Sequence, residues 1–286
     1  MTQMNRREFL AGGTMAALLA GRRTGLWGSG RSQVSVQTFM LRDLLKKDLE
    51  GTYAKIWALG VGGVELWELP AFDAKTVRKA CLDNGLAVSG AHVLLPLLTK
   101  DRFNWTMDYC ATVGNRYVAV PWMGPDKDEK DVGGWWRHQA DVFNALAEKM
   151  KPYGVKLGYH NHVHEFKTRF GGKTVWEIFV DNFSKDVMIQ WDVGALANSG
   201  EDAVAWYRKY PGRCPAVHLR DNWDMKAGYF GVIGEPPPGK TAVDWQGLKS
   251  AFAADRPDWF VIEPVTSDRF DTISRSIGYL EEMGIV

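Results

Sequence analysis

The sequence predicts an α/β fold, a single-domain (β/α)8 or TIM barrel over residues 32–286, on three observations. Eight short apolar runs follow one another from Val34 onward. Each is followed by a longer amphipathic segment, and no second pattern interrupts the alternation. Eight β–α pairs of this kind close as a barrel. An open doubly wound sheet usually has fewer strands, and no GxGxxG follows the first run.

The apolar runs are Val34–Thr38, Gly63–Trp67, Ala87–Val93, Tyr117–Pro121, Val155–His160, Val187–Asp192, Ala216–Arg220 and Trp259–Pro264. Their length and continuous apolar character suit parallel strands buried on both faces. The helical patterns between them are Lys46–Leu59, Ala74–Asn84, Arg102–Val113, Asp131–Tyr153, Thr174–Asn182, Glu201–Tyr210, Trp245–Ala254 and Asp268–Met283. Gly60, Gly85, Gly114 and Gly154 stand just past four of these helices, where glycine supplies a left-handed cap.

In such barrels the chemistry lies at the C-terminal ends of the strands. Five of the six histidines collect there: His92 closing strand three, His160, His162 and His164 running through the end of strand five, and His218 in strand seven. Acids follow the same pattern, with Glu65 in strand two, Asp192 ending strand six and Glu263 ending strand eight. A carboxylate inside an apolar strand is costly unless paired or bound to metal. Imidazoles and carboxylates converging on one rim suit a single Zn, Mn, Co or Fe ion. Asp192, His218 and Glu263 come from consecutive strands about 4.8 Å apart, close enough to share it. Trp67, Trp122, Trp191 and Trp223 crowd the same rim and offer faces for a sugar ring. With Glu65, His92 and Arg220, the first three make the expected substrate contacts.

The 286 residues carry a formal charge of +1. Five arginines and one glutamate fall in residues 1–31, leaving 30 basic against 33 acidic residues, a net of −3 for the body. A mildly acidic body argues against nucleic-acid binding. Cys81, Cys110 and Cys214 lack CxxC spacing, which excludes a disulfide scaffold and a thiolate zinc cage. Residues 1–31 read as a twin-arginine signal peptide: Arg6-Arg7 precede the apolar stretch Phe9–Ala20, too short to span a bilayer. The mature protein is therefore expected in the periplasm, free of the membrane. Gly171-Gly172-Lys173 is a weak candidate phosphate loop. The segment from Gly231 to Gly239, stiffened by three prolines, is a candidate lid or homo-oligomer contact.

The motifs GVGGVELW, GYHNHVHEF, QWDVG, VHLRD and VIEP, with Gly234-Glu235 to Val243-Asp244-Trp245, occur in that order. With them the chain resembles the sugar phosphate isomerase/epimerase family of xylose-isomerase-like barrels. The resemblance implies one divalent metal held by a strand-five Glu, a strand-six Asp, a strand-seven His and a strand-eight Glu. The last three match Asp192, His218 and Glu263. At strand five this chain has Gly158 three residues before Asn161, where relatives carry the Glu. His160 is the first choice for the missing ligand, followed by His162, with Glu165 able to reach back from the loop. His162, Glu263 and Glu165 are the expected catalytic groups.

The implied activity is a metal-dependent sugar isomerase or epimerase working through an enediolate. Loss of one carboxylate favours a histidine base, so β-elimination by a keto-glycoside lyase or hydratase is the alternative. A non-catalytic exported sugar-binding barrel is a further alternative. Export and the scarcity of rim cations beyond Arg42 and Arg220 point to an unphosphorylated sugar or keto-sugar as the small-molecule partner. Phosphodiester cleavage on the same barrel would need a basic face that the body lacks.

Overall fold

The computed structural model describes residues 32–286 except Glu68, Pro70, Ala71, Thr241, Pro264, Thr266 and Ser267. The expected export segment with Arg6 and Arg7 lies outside the described residues. Eight parallel strands form the barrel: β1 (Val34–Gln37), β2 (Gly63–Trp67), β3 (Ala87–His92), β4 (Tyr117–Val120), β5 (Lys156–His160), β6 (Met188–Gln190), β7 (Ala216–Leu219) and β8 (Trp259–Ile262). Hydrogen bonds link them in the order β6-β5-β4-β3-β2-β1-β8-β7. A parallel bridge between Asp192 and His218 brings the two free edges together. The single-domain barrel read from the sequence is the fold observed, with each strand within two residues of its expected limits.

The helices are α1 (Leu49–Ala58), α2 (Ala74–Asp83), α3 (Phe103–Val113), α4 (Val132–Met150), α5 (Val175–Val180), α6 (Ala203–Lys209), α7 (Trp245–Ala254) and α8 (Arg269–Met283). Aspartate starts six of them. Asp48, Asp73, Asp131, Asp202, Asp244 and Asp268 each accept a backbone N–H of the first turn, filling an orphan donor. Asp48 also divides the first expected helix. Its extended backbone ends a short helix over Arg42–Lys47, and its side chain then caps α1.

Further short elements lie in the loops after the strands, beyond the eightfold pattern, among them two helices and two hairpins. Helices His164–Lys167 and Val193–Ser199 follow β5 and β6. Two hairpins pair Arg169–Phe170 with Lys173–Thr174, and Trp223–Asp224 with Tyr229–Phe230. Gly171 and Gly172, at φ 56° and 83°, form the tight turn of the first hairpin. The candidate phosphate loop is thus corrected to a hairpin turn.

Large aromatics fill the layer between strands and helices, Tyr159 packing against Trp136, Phe143 and Phe179. The barrel interior differs. Its lower end is plugged by Tyr117, Ala119 and Met188 against Trp259. Above that plug the inward side chains are polar: Ser35, Gln37, Glu65, Ser89, His92, His160, Gln190, Asp192 and His218 are all buried. Among the described residues no helix is long and apolar enough to cross a membrane.

Candidate active site

Asp192 is held in place by its own loop. Oδ1 accepts the Ala195 N–H at 2.8 Å and caps the helix Val193–Ser199. That leaves Oδ2 pointing into the barrel mouth. Asn161 grips the same residue from β5, its Oδ1 accepting the Asp192 N–H at 2.8 Å and its Nδ2 donating to the Asp192 carbonyl at 3.3 Å. The glycine of QWDVG has a steric reason. A Cβ on Gly194 would lie 2.6 Å from both the Arg220 carbonyl oxygen and Cγ, so only glycine lets this helix sit against β7.

His218 projects from β7 between two carboxylates. Its Nε2 is 2.6 Å from Glu65 Oε2, and its Nδ1 is 3.5 Å from Glu263 Oε2. Burial opposes charge on this imidazole. Glu65 and Glu263 outweigh it and push the pKa up to about 10. Glu65 shows the converse: burial would raise its carboxyl, but His92 and His218 hold it at about 2. Glu65 also accepts from Gln37 Nε2 at 2.8 Å and Gln190 Nε2 at 2.5 Å. A Cβ on Gly90 would come within 3.0 Å of Glu65 Oε1, so this glycine leaves the carboxylate its space.

Arg220 places Nη2 2.5 Å from Asp192 Oδ2 and Nη1 3.8 Å from Glu263 Oε2, with its guanidinium over the Trp223 ring. Glu263, 16 % exposed, faces the mouth. Despite burial, Arg220 and His218 hold its carboxyl well below the ordinary range. His160 Nε2 is 3.8 Å from Asp192 Oδ2. Burial, with His218 and His92 beside it, keeps the His160 imidazole neutral. His162 stacks edge-on with Trp122 at 5.1 Å, and burial together with Arg220 holds its pKa down to about 3.

The donor set fits a divalent ion. Ligand atoms of His160, Asp192, His218 and Glu263 all lie within 4.8 Å of one another. Among them His160 Nδ1 and His218 Nδ1 are buried without a hydrogen-bond partner, while the buried Asp192 Oδ2 faces the Arg220 guanidinium. A mixed imidazole–carboxylate set is the chemistry of Zn, Mn, Co or Fe. His92, His160 and His218 also cluster. However, His92 has both nitrogens engaged, Nδ1 by Gln37 at 3.1 Å and Nε2 by Gln190 at 2.7 Å, which leaves it no lone pair for metal.

The expected metal set is thus brought together, and His162, Trp122 and Arg220 stand beside it. Trp122 is 55 % exposed at the mouth. Trp67, half-buried, packs between Phe39 and His92. Three expectations are corrected. Trp191 is fully buried on the outer side of the barrel against Trp176 and Trp206, out of reach of substrate, because it alternates with the inward Asp192. Glu65 lies beneath the site with both oxygens occupied, so it holds His218 instead of substrate. Glu165 is fully buried, accepting from Tyr159 OH at 2.7 Å and the His162 N–H at 2.9 Å; it fixes the His162 backbone and does not reach the ligands. Burial pushes its pKa up to about 7.

Gln37, Gln190, Asn161 and Asp221 carry roles the sequence reading missed. Asp221 accepts from the N–H groups of Asn222, Gly234 and Val243 and from Trp245 Nε1, so one buried carboxylate fastens the whole loop after β7. Polar residues at inward strand positions were the available signal for Gln37 and Gln190.

Comparison with known proteins agrees with this architecture. The chain is 25 % identical over 264 residues to inosose dehydratase of Geobacillus thermodenitrificans, covering 78 % of this chain and 85 % of that one. An inosose dehydratase of Clostridium perfringens is 27 % identical over 180 residues, 57 % of this chain and 60 % of the relative. A sugar phosphate isomerase/epimerase structure from Parabacteroides distasonis superposes with a TM-score of 0.72 at 20 % identity, over 92 % of this chain and 99 % of that one. An L-ribulose 3-epimerase structure gives 0.62 at 16 % identity, over 88 % and 94 %. Residues 53–283 match the family pattern itself, and the chain belongs to the xylose isomerase-like TIM barrel family.

Proposed function

We propose that the chain is a carbohydrate-acting, divalent-metal-dependent lyase that eliminates water or an alcohol from an unphosphorylated keto-sugar or keto-polyol. One observation carries the choice of elimination over epimerisation. Among the described residues the partly exposed carboxylate at the mouth is Glu263, beside the neutral imidazoles of His160 and His162, while Asp192 is buried and paired with Arg220, and the β5 position that would carry a further carboxylate is closed. A Cβ on Gly158 would lie 2.5 Å from the Met188 carbonyl oxygen and closer still to Met188 Cγ. Inosose dehydratase relatives spanning most of the chain support the same class.

His160, Asp192, His218 and Glu263 would hold the ion, which when bound supplies Lewis-acid polarisation of a substrate carbonyl. His162, neutral at physiological pH, takes the proton from the carbon next to that carbonyl. The released pair forms the C=C bond as the C–O bond one carbon further breaks. The departing oxygen leaves with the proton from His162, so one imidazole serves both steps. Arg220 stabilises negative charge on oxygen at the mouth, and Trp122 covers the sugar face. Arg42 donates to the Phe39 carbonyl and lies over that ring, while Arg220 is paired with Asp192, which supports a substrate without phosphate. The Arg6-Arg7 leader supports action in the periplasm.

Incubation of metal-loaded protein with inososes and 3-keto-glycosides tests the reading. The expected result is an ultraviolet-absorbing enone with release of water or the aglycone, identified by NMR. Clean formation of an epimer or aldose–ketose isomer, with no elimination, overturns it.

A further inference from the structure

The polar floor of the barrel has a direction. A backbone N–H can only donate, and the Phe39 N–H lies 2.9 Å from a side-chain atom of Gln37, which must be its Oε1. Gln37 Nε2 therefore faces inward, donating to Glu65 Oε2 at 2.8 Å and to His92 Nδ1 at 3.1 Å. His92, accepting at Nδ1, carries its proton on Nε2 and donates it to Gln190 Oε1 at 2.7 Å. That turns Gln190 Nε2 toward Glu65 Oε1, at 2.5 Å. Glu65 is thus held as a pure acceptor. Its Oε2 also lies 3.2 Å from the protonated His92 Nε2, and the closest imidazole donor it meets is His218 Nε2, at 2.6 Å.

We propose that Gln37, His92 and Gln190 are positioning residues: through Glu65 they fix the Nε2–H form of His218, so that Nδ1 is the atom presented to the metal. Nδ1 is the nitrogen of His218 that is buried without a hydrogen-bond partner, and it faces Glu263. A flipped Gln37 or Gln190 would put an amide oxygen against the Glu65 carboxylate, so each amide has one tenable orientation. The circuit starts at the backbone after β1 and crosses to β6 through four buried side chains, which makes the His218 orientation a property of the whole barrel rather than of one contact. Partners of this kind typically change metal affinity by about 10- to 100-fold.

The test is long-range proton–nitrogen NMR of the full chain labelled with 15N-histidine and loaded with Zn2+, together with Zn2+ affinity by competition with a chromophoric chelator. For the wild type, His218 should carry its proton on Nε2, with Nδ1 shifted by the metal. Gln190→Met and Gln37→Met should weaken Zn2+ binding about 10- to 100-fold and shift the His218 signals. A role in packing alone would lower the melting temperature while leaving those signals in place, and that result overturns the proposal. So does a proton on Nδ1, or failure of the wild type to bind Zn2+. The wild-type spectrum decides the orientation even if a variant does not fold. Neither readout involves turnover, so failure of the lyase reading leaves this inference standing.

Discussion

Arg220 Nη2 lies 2.5 Å from Asp192 Oδ2, the same oxygen that faces His160 Nε2 at 3.8 Å. The guanidinium thus sits against one of the ligand atoms and contributes positive charge where a divalent ion would also bring it. Like charges at such range repel by several kcal/mol even at an effective dielectric near 20. Replacing Arg220 by Met should therefore tighten divalent-metal binding, by about tenfold or more, while lowering turnover. Calorimetric titration of wild type and Arg220→Met with Zn2+ or Mn2+ checks the first half, and steady-state rates the second. Weaker metal binding in the variant would mean that Arg220 acts chiefly by orienting Asp192.

Gly158 explains why strand five departs from the family pattern and cannot be restored by one substitution. Its Cβ would meet both the side chain and the backbone of Met188. The side chain could yield, but the β6 backbone is fixed by its pairing with β5. Gly158→Ala should cost about 2 kcal/mol or more by overpacking. Gly158→Glu should gain no metal affinity. Urea denaturation and metal titration measure the two effects.

The fold and the ligand set were legible because both depend on local signals. Apolar runs bounded by turns mark the strands, and histidines or acids at their ends stand out against that background. Depth and facing were harder to read. Gln190, Trp191 and Asp192 are consecutive, yet alternation sends Trp191 outward among the helices and its neighbours inward. Glu65 belongs to the inner face, but that it lies below His218 depends on barrel stagger and on the register shift between Val64 and Glu65, which no local pattern reveals. The helix Val193–Ser199 is too short for a periodic signal, so Asp192 read as a strand end when it is also a helix cap. The four donors on Asp221 come from its own loop up to 24 residues away and could be found only in three dimensions.

The three cysteines are buried, and none forms a disulfide among the described residues. Burial pushes the Cys110 thiol from 9.0 up to about 11 and the Cys214 thiol up to about 12. A raised folded-state pKa leaves stability unaffected below the unfolded value and lost as pH rises toward the folded value. Each thiol should therefore cost roughly 1.4 kcal/mol per pH unit across that window, starting near pH 9. Urea denaturation at several pH values should show the decline, with a shallower slope in Cys110→Ala. Native protein at pH 8 should resist thiol reagents that label the unfolded chain. Fast labelling under native conditions would contradict the burial argument.

Residues 1–31 give a prediction independent of the barrel. The proposed export rests on the paired Arg6-Arg7 before an apolar stretch, the pattern that a twin-arginine receptor reads. Arg6→Lys with Arg7→Lys keeps the charge and should leave the protein in the cytoplasm. Cell fractionation reads the outcome, and undiminished periplasmic protein would rule out that route.

His160 and His162 are two residues apart but differ in surroundings. His160 is buried against His92 and His218, and belongs to the set whose ligand atoms converge within 4.8 Å. His162 lies nearer the mouth, against the exposed Trp122, with its backbone tied to Glu165. Removing a ligand should empty the site. Removing a base should leave the metal and slow proton transfer, typically by about 10²–10⁴-fold. His160→Ala should therefore lower metal occupancy, as should Asp192→Ala, His218→Ala and Glu263→Ala. His162→Ala should keep its metal yet lose exchange of the substrate's α-proton with solvent. Metal analysis and deuterium wash-in on the two histidine variants separate the roles. The reverse pattern would exchange them, and full metal retention in His160→Ala would remove His160 from the ligand set.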